Sequence, residues 1–114
     1  MALQFKIDDV PSVNTIYRGR RYKTERYKIW RRSKQWDLYE QRVEKVNGPF
    51  ELEILVAPAK RKRDLDNYLK AILDLLVEAK IIQGDEYPYC MGISIKWSND
   101  LQSGVMVKIN KLEG

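Results

Sequence analysis

Leu3, Phe5 and Ile7 alternate with Gln4, Lys6 and Asp8, the period of two expected of a half-buried strand that ends near Val10-Pro11. Residues 12–34 show no clean period and are dense in Arg, Lys and Tyr, which predicts a basic, partly ordered arm. Ser33 then stands as an N-cap for a helix with apolar positions Trp36, Tyr39, Val43 and Val46, stopped at Gly48-Pro49. Phe50, Leu52, Ile54 and Val56 alternate with Glu51 and Glu53 as a second strand, broken at Pro58. A second helix is predicted from Asp64, its N-cap, to about Lys80, with an apolar stripe at Leu65, Tyr68, Leu69, Ile72, Leu76 and Ala79. Ile93, Ile95 and Trp97, then Val105, Val107 and Ile109, form two further alternating runs around Ser98-Asn99-Asp100 and Ser103-Gly104, and are expected to pair as a hairpin. The order predicts an α+β fold in which a small mixed sheet of about four strands is covered by two helices.

The 114 residues, 44% apolar, fit a single domain over residues 1–114 with a core that needs no metal or disulfide. With no histidine, mechanisms built on an imidazole base or ligand are excluded, and the lone Cys90 excludes an internal disulfide or a structural zinc cluster. Chemistry falls to carboxylate, lysine, tyrosine and hydroxyl groups. No apolar run is long enough to span a bilayer and no signal-peptide pattern opens the chain, so a cytoplasmic location without a membrane partner is expected.

The net charge of +5 is modest, but its distribution is not. Residues 18–34 carry nine cations and one acid, and residues 60–63 add Lys60, Arg61, Lys62 and Arg63, which leaves a net charge of −7 on the rest of the chain. Charge concentrated in this way suits a polyanion. Tyr17, Tyr22, Tyr27, Trp30 and Trp36 are interleaved with the first cluster, as suits stacking on unpaired bases; of these, Trp36 is the one most expected in the core.

Directly after the second cluster come Asp64 and Asp66, at a helix start where backbone N–H groups are unpaired and the dipole is positive. Two carboxylates beside four cations could hold a hard divalent cation such as Mg²⁺ while the cations hold the phosphates it polarises. Lys70 follows Asp66 by one turn on the same face, and Asp74 continues it. The same spacing also describes an ordinary capped surface helix, and capping is common enough that spacing alone favours this plainer reading.

Arg63-Asp64-Leu65-Asp66-Asn67, Lys70 and Asp74 in the same helix, and Gly84-Asp85-Glu86 beyond it resemble the RusA family of Holliday junction resolvases. Pro11-Ser12-Val13-Asn14-Thr15-Ile16-Tyr17-Arg18 is similar to that family's N-terminal signature. The resemblance implies a homodimeric, Mg²⁺-dependent endonuclease, with Mn²⁺ as the alternative ion and no small-molecule cofactor, that nicks four-way junction DNA symmetrically. It further implies Asp64, Asp66 and Asp85 as catalytic metal ligands and Lys70 as the catalytic lysine. Asn14, Arg18, Arg20, Arg21, Lys23, Arg26, Lys60, Arg61, Lys62 and Arg63 are the residues expected to bind nucleic acid. Gly84 stands where the family commonly has the first of two Asp residues, and Pro88 where a strand residue is usual. The reading from another class is a non-catalytic nucleic-acid-binding module whose carboxylates only cap the helix.

One geometric expectation concerns the acids. Residues 66 to 79 of a helix span about 20 Å, so Asp66 and Asp85 begin far apart within one chain. Two such helices packed antiparallel about a two-fold axis would bring Asp85 of one subunit to Asp64 and Asp66 of its mate.

Overall fold

The computed structural model describes residues 2–10, 17–18, 22–23, 25–59 and 64–112. Strands β1 (Ala2–Ile7), β4 (Phe50–Val56), β5 (Cys90–Trp97) and β6 (Val105–Lys111) form one sheet in the order β1-β6-β4-β5, and β2 (Tyr17–Arg18) and β3 (Tyr22–Lys23) form a two-stranded ribbon. Helices α1 (Glu25–Glu40) and α2 (Leu65–Glu78) supply the cover. The expected α+β architecture, a four-stranded mixed sheet with two helices, is the one observed.

Register explains why these strands belong together. Ile7, Val105, Val56 and Trp97 lie in one row across the sheet, Phe5, Val107, Ile54 and Ile95 in the next, and Leu3, Ile109, Leu52 and Ile93 in the third. Each row places branched or aromatic side chains opposite one another, and a slip of one residue would turn the whole set to the other face. The central positions Leu52, Ile54, Val56, Val105, Val107 and Ile109 are fully buried.

The last two strands do not form the expected hairpin: β4 lies between them, parallel to β5 and antiparallel to β6. Alternation states which face a residue occupies and says nothing of which strand lies beside it. The segment joining β5 to β6 steps over the end of β4, with Ser98 N–H donating to Val56 O and Ala57 N–H to Gly104 O. A parallel pair needs a crossover, and α2 provides it between β4 and β5. Pro88 lies in the turn that precedes β5, outside the ladder, so its missing donor costs the sheet nothing.

Helix α1 corrects a second expectation. It starts at Glu25 rather than after Ser33, so residues 25–34 of the anticipated arm are helical, and it ends at Glu40 well before Gly48-Pro49. Its buried residues are Tyr27, Trp30 and Leu38, whereas Trp36, expected in the core, is 66% exposed. The inward stripe also includes Arg31 and Lys34, whose side chains are only 16% and 13% exposed. Their stems lie along the core while their charged ends reach Glu78 and Asp37, and a hydropathy pattern counts them as polar.

Both helices end on the same backbone device. After α1, Arg42 N–H donates to Tyr39 O and Val43 N–H to Leu38 O; after α2, Lys80 N–H donates to Val77 O and Ile81 N–H to Leu76 O. This is the paired 6→1 and 5→2 pattern of a Schellman motif, and the left-handed residue at its centre is Arg42 (φ 57) in one case and Lys80 (φ 62) in the other.

Candidate active site

The unit β4-α2-β5 positions the acids. Because β4 and β5 run parallel, the start of α2 lies at their carboxyl ends, where open α/β units usually place ligands. The contact that fixes this end is edge-to-face packing of Tyr68, in the first turns of α2, against Trp97, the last residue of β5, with ring centroids 5.7 Å apart.

Asp64 occupies the N-cap position with extended backbone (φ −99, ψ 143), and its C=O accepts from Asn67 N–H at 3.2 Å. Its carboxylate makes no capping hydrogen bond. The plainer reading of Asp64 as a side-chain cap therefore loses its main support. Asp66 is exposed in the first turn, and neither carboxylate joins an ion pair among the described residues. Lys70 is exposed one turn later on the Asp66 side. Two open carboxylates are the donor set that Mg²⁺ commonly takes from a protein when substrate phosphate and water complete its octahedron, so the residues fit such an ion.

Asp74 plays another part. Its Oδ2 accepts a hydrogen bond from Tyr27 Oη at 3.2 Å, which docks α1 on α2, and Arg31 Nε meets Glu78 Oε2 at 2.6 Å one turn further on. Asp74 thus belongs to the helix–helix contact.

Asp85 lies beyond the other end of α2, in the turn that leads into Cys90. Helix α2 has 14 residues, or about 21 Å. No group of three acids or other metal-ligating side chains comes together among the described residues, so one chain does not assemble Asp64, Asp66 and Asp85. The Glu86 carboxylate folds back over Gly84 into the space a side chain there would occupy, and the turn beyond this end of α2 carries the exposed acids Asp85 and Glu86. Cys90 is half-buried, and burial above all, with a smaller contribution from the Asp85 charge, pushes its thiol above the usual range, the opposite of the shift that activates a nucleophilic cysteine.

Of the nucleic-acid residues expected from sequence, Arg26 is exposed in the first turn of α1, while Arg18 and Lys23 belong to the β2-β3 ribbon. Asn14, Arg20, Arg21, Lys60, Arg61, Lys62 and Arg63 lie outside the described residues. One surface escaped the sequence altogether. Strand β5 is a sheet edge, and Ile93 (42%) and Trp97 (39%) remain exposed on the face that is buried in β4 and β6; Met91 of the same strand and Val77 of α2 are exposed as well. Sequence alternation in β5 is that of a covered strand, so only the strand order exposes this gap.

Comparison with known proteins adds two findings. The family described as endodeoxyribonuclease RusA matches residues 9–110. A curated relative, the crossover junction endodeoxyribonuclease RusA of Aquifex aeolicus (strain VF5), is 29% identical over 109 residues, covering 91% of this chain and 86% of that protein.

Proposed function

The chain belongs to the endodeoxyribonuclease RusA family, and from that premise we propose that it is a divalent-metal-dependent endonuclease that resolves four-way DNA junctions by paired symmetric nicks. The observation that carries this reading is the open carboxylate pair Asp64 and Asp66 at the start of α2, uncapped and unpaired among the described residues, with Lys70 one turn on. Asp64 and Asp66 would hold Mg²⁺, or Mn²⁺ in its place. A bound ion of this kind supplies Lewis-acid stabilisation of phosphate and lowers the pKa of water, which suits a chain without histidine.

The chain's own groups do the rest. Lys70 donates to a phosphate oxygen as negative charge grows there, and the unpaired N–H groups of the first turn of α2 favour the same anion. Lys60, Arg61, Lys62 and Arg63, which precede α2 in the sequence, hold the scissile strand. Asn14, Arg18, Arg20, Arg21, Lys23 and Arg26 hold the arms, so affinity is largely electrostatic and falls steeply with salt. Among the described residues no helix is long and apolar enough to cross a membrane.

The working unit in this reading is a homodimer joined along β5 and α2. Three features support it: the exposed apolar side chains on that edge, the open edge itself, and the separation of Asp85 from Asp64 and Asp66. A two-fold axis beside β5 sets α2 antiparallel to its copy, so the Asp85 end of one subunit meets the Asp64 end of the other. Two composite sites then face two strands.

The test is nicking of a synthetic four-way junction with Mg²⁺ and its arrest by EDTA; binding without any nicking would favour the non-catalytic module. For the composite site, Asp66→Asn and Asp85→Asn subunits are mixed. Heterodimers then hold one intact site and one doubly damaged site, so single nicks reappear, whereas sites confined to single chains stay dead.

A further inference from the structure

Trp36 and Tyr39 are 66% and 77% exposed on α1, and their rings meet edge to face at 6.2 Å. Together with Arg32 and Lys45 they line an open groove of about 530 Å³ whose floor includes Leu38 and Ile81. The surrounding charges are asymmetric. Among the described residues Asp37 is paired with Lys34, Glu44 with Lys111 and Glu78 with Arg31, while Arg32 and Lys45 have no such partner. A neighbouring recess adds Arg42 against a single acid, Glu40. The groove therefore presents planar aromatic surface and uncommitted positive charge together. It lies where α2 ends, on the route to Asp85 and away from Asp64 and Asp66.

We propose that this groove is a second DNA contact, which holds an unpaired stretch of the substrate by stacking a base on Trp36 and placing its phosphates on Arg32 and Lys45. An acidic surface alone would satisfy the cations and leave the rings in water. A duplex offers phosphates but hides its base faces. An unpaired strand satisfies both features, since every base has a face to stack and every linkage a charge. The proposal deepens the reading above and rests on it only for the choice of DNA as the polyanion.

The test uses the whole protein in EDTA, so that binding is read without cleavage, with dT20 and a 20-base-pair duplex as probes. For dT20, Trp36→Ala is expected to lose about tenfold in affinity and most of the tryptophan quenching that binding causes, and Trp36→Phe to retain most of the affinity. Duplex affinity should be unchanged in both variants. Replacing Arg32 and Lys45 with Ala should flatten the dependence of log K on log salt by about 1.4, the value for two phosphate contacts on a single strand. Wild-type dT20 affinity in Trp36→Ala, or an equal loss on dT20 and duplex, overturns the proposal. So does a change in the sedimentation of Trp36→Ala without DNA, which would make the groove an interface between copies. Junction nicking by the wild type is measured alongside. Nicking with undisturbed dT20 binding in Trp36→Ala removes the groove alone, whereas loss of dT20 binding without wild-type nicking removes the nuclease reading alone.

Discussion

The two helices cover the same sheet by opposite means. Helix α2 is anchored by Tyr68, Ala71, Ile72, Leu75 and Leu76, an unbroken apolar stripe, and its chemistry-bearing residues stand clear of that stripe at the two ends. Helix α1 buries only Tyr27, Trp30 and Leu38, and is fixed by directed contacts: Tyr27 to Asp74, Arg31 to Glu78, and Trp30 Nε1–H donating to Asp8 O. The lesson is a division of labour. A helix held by area can spend its termini on catalysis, and a helix held by a few polar points leaves a whole side open to a ligand.

The largest expected effect isolates the start of α2 from its packing. Asp64→Asn and Asp66→Asn should each lower junction cleavage by about 1,000-fold or more, because losing a metal ligand removes several kcal/mol of transition-state stabilisation. Junction binding should persist or tighten and the melting temperature should barely move, since both side chains are exposed. Lys70→Ala should follow with a smaller fall that appears in kcat more than in binding. Unchanged cleavage in both Asp variants would return them to the role of surface acids.

Next comes the apolar anchor. Leu76→Ala should cost about 2–5 kcal/mol in denaturant unfolding, because Leu76 is fully buried and the cavity closes only in part. Tyr27→Phe probes the other helix. It keeps the buried ring and removes one hydrogen bond to Asp74, so about 0.5–1.5 kcal/mol is expected. A loss as large as that of Leu76→Ala would mean that α1 is anchored no differently from α2.

The smallest effect concerns Arg31 and Glu78. In a double-mutant cycle with Ala their coupling should be about 0–1 kcal/mol and shrink with added salt, since the Glu78 end of the pair is partly open to water. A salt-independent coupling of several kcal/mol would place the pair among the determinants of the fold.

What the chain's order of residues reveals follows the same division. The four strands of the main sheet and α2 were readable because apolar positions recur at the correct period, and Asp64, Asp66 and Lys70 because their relation is local to one helix turn, whereas the short β2-β3 ribbon falls in a stretch without a period. The start of α1 was hidden, since Arg31 and Lys34 fill inward positions with aliphatic stems that a hydropathy count scores as polar. Trp36 was misplaced for the complementary reason: its size suggests burial, yet it lies off the stripe set by Tyr27, Trp30 and Leu38. The insertion of β4 between β5 and β6 was beyond reach, because strand neighbours are chosen by crossover geometry and not by alternation. The groove was equally so, because its walls come from residues 32–45 and 79–81 and meet only once α1 packs on α2.

The helix ends carry a consequence for engineering. A side chain in left-handed backbone costs about 1–2 kcal/mol relative to the ordinary right-handed region, which is why glycine is the usual occupant of the position held by Arg42 and Lys80. Arg42→Gly and Lys80→Gly would relax both helix ends and would be natural first choices for a more heat-resistant protein. Each would also remove a cation, Arg42 from the recess beside the Trp36 groove and Lys80 from the position between Ala79 and Ile81, which line that groove. Stability and charge are therefore set against each other at the same two backbone positions, and a thermostable variant made this way should hold unpaired DNA less tightly.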